Sequence, residues 1–338
     1  MIILGIETSC DDTSAALVKD GLHILHTETC SQDTFHRPFA GVVPEIAARK
    51  HTELLLPAVD LCLKKTGLSA GQIDAIAVTV CPGLAGSLLA GLCAAKAFSW
   101  AWNKPLIPVN HLAAHLYALE MSGKIEYPYI GLLVSGGHTA IMYVETCSNI
   151  KIMGQSLDDA CGEAFDKISK HYKWGYPGGP VIDKMSVSGN KEAVLYPDLD
   201  KSYEENEFNI SYSGLKTAVI YHTDRYKTGT IINENDIAAS FQKKALDPLC
   251  AKTIRAAKKM NLTQIGIAGG VSANSYLRKI FAGQQGFNVH FPSPTLCTDN
   301  AAMVAGFAFH KAQHKNFSLK MLSLNVQARS NGFSACVF

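Results

Sequence analysis

The sequence predicts a two-lobed α/β fold in which one structural device is built twice. Two strand–turn–strand segments are the first observation: IILGIETSCDDTSAALVKDG at 2–21 and YIGLLVSGGHTAIMYVET at 129–146. In each, an apolar strand runs into a turn of Ser, Gly, Thr, Cys or Asp and a second apolar strand follows, the pattern of a β-hairpin. The second observation is a pair of strand–turn–helix segments, IDAIAVTVCPGLAGSLLAGLCAAKAF at 73–98 and LTQIGIAGGVSANSYLRKIF at 262–281. Hairpin followed by strand–turn–helix, in the same order in both halves, points to a duplication and not to one long sheet. The third observation is size and composition: 338 residues, 47% hydrophobic and 18% charged, suit two ordinary globular domains with a buried core in each.

The first lobe is expected over residues 1–110, with an amphipathic helix inserted at about 36–66, and the second over 111–298. A helix after Asp299 (AAMVAGFAFHKA, within 299–327) is expected to pack back on the first lobe, leaving 328–338 as a tail. The formal net charge of +2 neither demands nor excludes a nucleic-acid partner. The ten cysteines are scattered without a C-x-x-C pair, which argues against a disulfide framework or a thiolate zinc site and for a reducing compartment. Twenty-one uncharged residues separate Asp74 from Lys96, but Pro82, Gly83 and Gly86 divide them into a strand and a buried helix. A cytoplasmic protein with no membrane segment is therefore expected.

Several turns carry candidate chemistry. In Ser135-Gly136-Gly137-His138-Thr139 the paired glycines let backbone approach a ligand and turn N–H groups toward an anion, while Ser135 and Thr139 add hydroxyls. Thr8–Thr13 is the matching polar turn of the first lobe. His111 and His115, in HLAAH, fall on one helix face at i, i+4, a usable metal-ligand spacing, with Asn110 placed to cap that helix. Twelve histidines in 338 residues would give about 0.4 such pairs by chance, so the spacing is weak evidence by itself. Asp299 heads a helix, where it serves either as an N-cap or as the third member of a His₂–carboxylate set. Asp166 lies on a helical run, Gly178-Gly179-Pro180 opens another helix with Asp183 in its first turn, and Gly269-Gly270 precede Asn274 between a strand and a helix. Neither G-x-G-x-x-G nor G-x-x-x-x-G-K-[ST] occurs. The basic positions Lys167, Lys170, Lys173, Lys243-Lys244 and Arg278-Lys279, with His171 and Trp174, are candidate nucleic-acid contacts, although each reads more readily as a solvated helix face.

Taken in order, GIETSCDDT, GVVPEIAAR, PGLAGSLLAG, HLAAH, LLVSGGHT, GEAFDK, YPGGP, ISYSGLK, GGVSAN and CTDN resemble the TsaD family, the tRNA adenosine threonylcarbamoyltransferases, from residue 2 to about 327. The resemblance implies the actin-like/hexokinase-like/Hsp70-like (ASKHA) nucleotide-binding fold. It implies transfer of a threonylcarbamoyl group from threonylcarbamoyl-adenylate to N6 of adenosine 37 in tRNAs reading codons that begin with A. It further implies one divalent metal per subunit, iron(II) before zinc(II), on His111, His115 and Asp299. Leu133, Val134, Ser135, Gly136, Gly137, Asp166, Gly179, Asp183 and Asn274 match the site for an adenylate or ATP-like nucleotide, and Asp11 matches a carboxylate near the metal that would assist proton removal. Partners of the TsaB and TsaE kind are implied besides tRNA. Asp12 stands where many members carry Glu, and Asn110 where some carry His. Two rival readings make distinct demands: a metallopeptidase needs a Glu where Leu112 stands, and a small-molecule kinase of the same fold needs a soluble phosphoryl acceptor.

Overall fold

The computed structural model describes residues 1–123, 125–199, 207–221, 233–314, 317 and 323–329. In chain order the first elements are β1 (Ile2–Glu7), β2 (Thr13–Lys19), β3 (His23–Cys30), α1 (Asp33–His36), α2 (Pro44–Thr66), β4 (Ala75–Cys81), α3 (Ala85–Trp102), β5 (Leu106–Asn110) and α4 (His111–Ser122). They are followed by β6 (Tyr129–Val134), β7 (Thr139–Thr146), β8 (Asn149–Gln155), α5 (Cys161–Tyr172), α6 (Gly178–Ser186), α7 (Ser213–Ile220) and α8 (Glu234–Lys259). The last are β9 (Gln264–Ala268), α9 (Ser275–Ala282), β10 (Asn288–His290), α10 (Pro294–Cys297) and α11 (Ala301–His314).

The chain divides into two compact units, one of Met1–Lys124, Cys147–Asn149 and Pro292–Phe338, the other of Ile125–Thr146 and Ile150–Phe291. Thus α4, placed by the sequence at the start of the second lobe, belongs to the first unit, as do Pro292 to Thr298. Each unit holds a five-stranded sheet, in the orders β3-β2-β1-β4-β5 and β10-β9-β6-β7-β8. In both, the first strand is central, antiparallel to the second and parallel to the fourth: β1 to β2 and β4, β6 to β7 and β9. That shared topology is the duplication seen in the sequence. The central strands are covered on both faces, so β4 and β6 are buried along their whole length and are written in nearly unbroken apolar residues.

In the first unit α2 buries Ala47, His51, Leu55, Ala58, Val59 and Cys62, one stripe at helical spacing. Complete burial of a Leu or Val side chain there is worth about 1.5–3 kcal/mol. The helix expected at 36–66 begins only at Pro44; α1 and a single 3₁₀ turn, Arg37–Phe39, precede it. Pro44 marks the start because proline suits a first helical turn, where its missing N–H leaves no bond unmade. Helix α11 is rich in Ala and Gly on its buried side, which lets it lie close against β1: a Cβ on Gly5 would stand 2.2 Å from the Ala301 carbonyl oxygen. In the second unit the core centres on α5 and α8, where the Phe165 and Phe241 rings lie 4.9 Å apart.

Among the described residues eight cysteines are free thiols and Cys81 is disulfide-bonded, an exception to the fully reduced set that the sequence suggests. Among the described residues no helix is long and apolar enough to cross a membrane. The expected tail falls, from residue 330 on, outside the described residues.

Candidate metal centre and glycine-rich loops

In the first unit three chain segments converge. The Asn110 side chain accepts from Leu112 N and Ala113 N at 2.9 and 3.2 Å, so α4 begins at His111, at the C-terminal end of β5. His115 follows one turn later, and the two imidazole rings meet edge to face with centroids 4.6 Å apart. Asp299 was expected at the head of the next helix as a possible cap. The cap is instead Asn300, which accepts from Met303 N at 3.0 Å, and Asp299 lies outside the helix. One Asp299 oxygen, Oδ1, stands 3.0 Å from His115 Nε2 and 3.6 Å from His111 Nε2.

Sequence reasoning missed Glu7, the last residue of β1. It is fully buried and collects three donors: Ser9 N at 2.6 Å on Oε1, with Thr79 Oγ1 at 2.6 Å and His111 Nδ1 at 3.1 Å on Oε2. Because a carboxylate accepts, His111 Nδ1 carries the proton and its Nε2 is left to face Asp299. The signal was a lone charge ending the otherwise apolar strand IILGIE. Burial alone would raise the Glu7 carboxyl, yet His111 beside it holds it below the usual value. Burial would likewise lower His111, but Glu7 and Asp299 push it up to about 9.

The polar turn between β1 and β2 is pinned by α3. Gly83, just before α3, lets the chain pass close to Ser9, Gly91 lets the helix touch Thr8, and the Thr8 hydroxyl donates to Ser87 O at 2.9 Å. The turn carries Asp11 and Asp12. Burial, with Asp299 as a further cause, holds the Asp11 carboxyl above its usual range, and burial with Asp299 and Asp11 pushes Asp12 up to about 8. Three carboxylates that oppose one another's ionisation are relieved by a cation.

The donor set suits a divalent transition ion: one atom from each of His111, His115 and Asp299 lies within 4.8 Å of the others. His115 Nδ1 is buried with no hydrogen-bond partner, so this imidazole is one interaction short. Glu7 completes a carboxylate–histidine pair of the kind that fixes the tautomer of a ligand. Glu7→Gln keeps the size but puts an amide among three donors, and it is expected to weaken metal affinity about 10- to 100-fold. Titration of the apoprotein against a competing chelator reads this; affinity within about twofold of the parent would refute the role assigned to Glu7.

The second unit holds the remaining sequence candidates in three groups. In the first, Ser135 N donates to His138 O at 2.8 Å and His138 N to Ser135 Oγ at 3.1 Å, closing the turn. The start of α5 docks there through Cys161 N to Thr139 Oγ1 at 2.8 Å and Gly162 N to Ser135 O at 3.1 Å. A Cβ at Gly136 or Gly137 would meet nothing within 4 Å, so this backbone borders open space. Leu133 and Val134 are buried strand residues, and Gly269, at φ +93°, lets the next loop reach Val134 O. In the second group Asp166 Oδ1 accepts from Gly178 N at 2.7 Å, setting the start of α6 beside an open Gly179. In the third, Asp183 accepts from Ser275 N and Oγ, both at 2.9 Å, and Asn274 caps α9 through Leu277 N while donating to Gln242 Oε1 at 2.8 Å. Asp183 stands in the second turn of α6, not the first, because the helix already starts at Gly178. Asp183, Ser275 and Gln242 line a cavity of about 310 Å³ together with Lys191, Tyr276 and Lys279. Three of the basic candidates have partners of their own: Lys167 binds Asp159 and Glu163, Lys243 binds Asp247, and Arg278 donates to Ser272 O and covers Phe291. Trp174 stacks on Tyr172 at 4.7 Å.

The fold is shared with proteins of distant sequence. HypF of T. kodakarensis aligns at a TM-score of 0.61 and 14% identity, covering 93% of this chain and 47% of that one. The activator of the 2-hydroxyisocaproyl-CoA dehydratase from Clostridium difficile aligns at 0.55 and 15%, covering 94% and 100%. Duplicated sheets and these likenesses define the class, an α/β protein of the actin-like/hexokinase-like/Hsp70-like fold, here with two buried histidines and a partly exposed carboxylate grouped in its first unit. Closer relatives are the tRNA N6-adenosine threonylcarbamoyltransferases of Brachyspira hyodysenteriae, 49% identical over 94% of both chains, and Treponema denticola, 48% identical over 99% of this chain and 98% of that one. A family model described as TsaD, tRNA N6-adenosine threonylcarbamoyltransferase, matches residues 23–306, and the chain belongs to that family.

Proposed function

We propose that the chain transfers the threonylcarbamoyl group from threonylcarbamoyl-adenylate to N6 of adenosine 37 in tRNAs reading codons that begin with A, in the cytoplasm. The observation that carries this is the 48% identity to a threonylcarbamoyltransferase along 99% of the chain, which spans every motif described above. The donor is a mixed anhydride with AMP. N6 attacks its carbamoyl carbonyl, an N–C bond forms, the C–O bond to phosphate breaks, AMP leaves, and N6 gives up a proton. Because the leaving group is already good, what the protein must add is position, charge compensation and a proton acceptor.

Each part has candidates. Leu133, Val134, Ser135, Gly136 and Gly137 offer backbone and hydroxyl to the adenylate, with Asp166 and Gly179 at the start of α6 and Asp183 and Asn274 beside the cavity. His111, His115 and Asp299 would hold one divalent ion, iron(II) in preference to zinc(II), whose chemistry is Lewis-acid polarisation of a bound oxygen. Asp11 is the proton acceptor in this reading: a carboxyl held above its usual range is a better base than a solvated one. Asp11→Asn is expected to lower turnover about 100-fold while adenylate binding persists; unchanged turnover would sink the assignment. A metallopeptidase is disfavoured because Leu112, whose N–H caps onto Asn110, stands where a catalytic Glu would be needed.

Reconstitution tests the whole reading. Purified protein, TsaB- and TsaE-like partners, unmodified tRNA and synthetic threonylcarbamoyl-adenylate are combined, and the digested tRNA is examined by nucleoside mass spectrometry. Threonylcarbamoyl-adenosine is expected; its absence with partners proven competent would overturn the function.

A further inference from the structure

Two buried histidines of the first unit, His36 and His51, take no part in the site described above. Both are fully buried, as are Gln32 and Thr13 between them. They form a chain of hydrogen bonds whose direction is fixed at both ends. At one end Val43 N, which can only donate, reaches His36 Nδ1 at 3.3 Å; at the other His51 Nε2 reaches the carbonyl oxygen of Cys10, which can only accept, at 2.9 Å. Between these ends the donors run in one direction, and Gln32 Nε2 also stands 3.4 Å from His51 Nδ1, so that His51 nitrogen is an acceptor toward both Thr13 and Gln32. His36 Nε2 donates to Gln32 Oε1 at 3.3 Å, Gln32 Nε2 to Thr13 Oγ1 at 3.4 Å, and the Thr13 hydroxyl to His51 Nδ1 at 2.8 Å. The Gln32 amide is oriented independently, since its Nε2 also faces the Ala47 carbonyl at 3.5 Å. In both imidazoles Nδ1 therefore accepts and Nε2–H donates, in keeping at His51 with burial holding it below its ordinary pKa.

The chain ends on the residue before Asp11. Cys10 O is gripped by His51, Leu84 N holds Ser9 O at 2.8 Å, and Thr13 closes the turn at the head of β2. The Asp11 carboxyl is near enough to His36, Asp33 and Asp299 to feel the charge of each. We propose that His51 is a positioning residue of the transfer reaction: by donating to the Cys10 carbonyl it fixes the Cys10–Asp12 turn and so aims the Asp11 carboxylate. The inference rests on the reading of Asp11 as proton acceptor.

The test is a double-substitution cycle in the reconstituted reaction with the full chain. His51→Leu removes the donor and keeps bulk, and His51→Gln returns an N–H near the place of Nε2. His51→Leu is expected to lower kcat about tenfold, the cost of one buried hydrogen bond, with KM for threonylcarbamoyl-adenylate within about twofold, and His51→Gln to recover most of that loss. In the residual turnover of Asp11→Asn, His51→Leu should add nothing, because the group it aims is gone. A loss that multiplies equally in both backgrounds, or that appears in KM, would overturn the positioning role. Full turnover by Asp11→Asn alone would instead overturn the proton-acceptor reading, and the inference with it. Should His51→Leu fail to fold, ¹⁵N-histidine NMR of the parent protein decides: two neutral Nε2–H imidazoles are expected near neutral pH, and an Nδ1–H form or an imidazolium at His51 would refute the chain.

Discussion

Asp299→Ala is expected to leave the chain folded and to abolish binding of the metal proposed for the His₂–carboxylate group. Among the described residues Asp299 is the one carboxylate within 4 Å of both imidazoles, 3.0 Å from His115 and 3.6 Å from His111, and it lies outside α11 because Asn300 does the capping. The helix therefore keeps its cap when Asp299 is lost. Removing a direct ligand exceeds the 10- to 100-fold loss of affinity typical of an outer partner, so metal content should fall below about a tenth of the parent and kcat/KM by at least about 100-fold. Elemental analysis of the purified variant, its melting temperature and its turnover read the three expectations separately. Nucleotide binding should persist, because the candidate adenylate residues belong to the second unit. Full metal content together with full turnover would show that the His₂–carboxylate group is not the centre.

Gly5→Ala is expected to be the most damaging single methyl in the first unit. The added Cβ would meet the Ala301 carbonyl oxygen at 2.2 Å and Ala305 Cβ and N at 3.0 Å, contacts with a helix backbone that no side-chain rotation relieves. Gly5 also sits in the middle of β1, paired with Ala16 on one side and Ala77 on the other, so the strand has little room to retreat. Helix α11 must move. Overpacking of this kind costs about 3 kcal/mol, which for a unit of this size lowers the melting temperature by roughly 10 °C. Since Ala301 is two residues from Asp299, the same displacement should weaken metal binding. A melting temperature within about 2 °C of the parent with unaltered metal content would show that the β1–α11 contact yields more easily than its geometry suggests.

Legibility in the sequence followed burial. The strands β1, β2, β4, β6, β7 and β9 were readable because both their faces, or nearly so, are apolar. The edge strands β3 and β8 were not, because each is about half exposed and HILHTETC and NIKIMGQ carry no clear alternation, whereas the buried edge strand β5 was readable. The start of α2 falls eight residues later than expected because 36–43 shares its mixed polarity; the chain there is held by local bonds of buried His36 to Gln32 and Val43, which polarity patterning does not record. Within the site, His111, His115 and Asp299 were visible through spacing and resemblance. Glu7 was not, because a carboxylate becomes a partner only once a histidine 104 positions away is folded against it.

The sequence by itself determined the duplicated sheets, the helix-capping role of Asn110, the glycine turns and the family. These depend on local periodicity, turn chemistry and motif order, all of which a linear chain records. Tertiary structure alone decided which of Asp299 and Asn300 is the cap, that Glu7 orients His111, and that the hydrogen bonds from Val43 to Cys10 run one way. Some of these join residues far apart in the chain, as His111 to Glu7 and His51 to Cys10, and others are short-range bonds, as Asn300 to Met303, that several neighbouring side chains could equally make until the fold aims one of them. Their polarity follows from which backbone group can only donate and which can only accept.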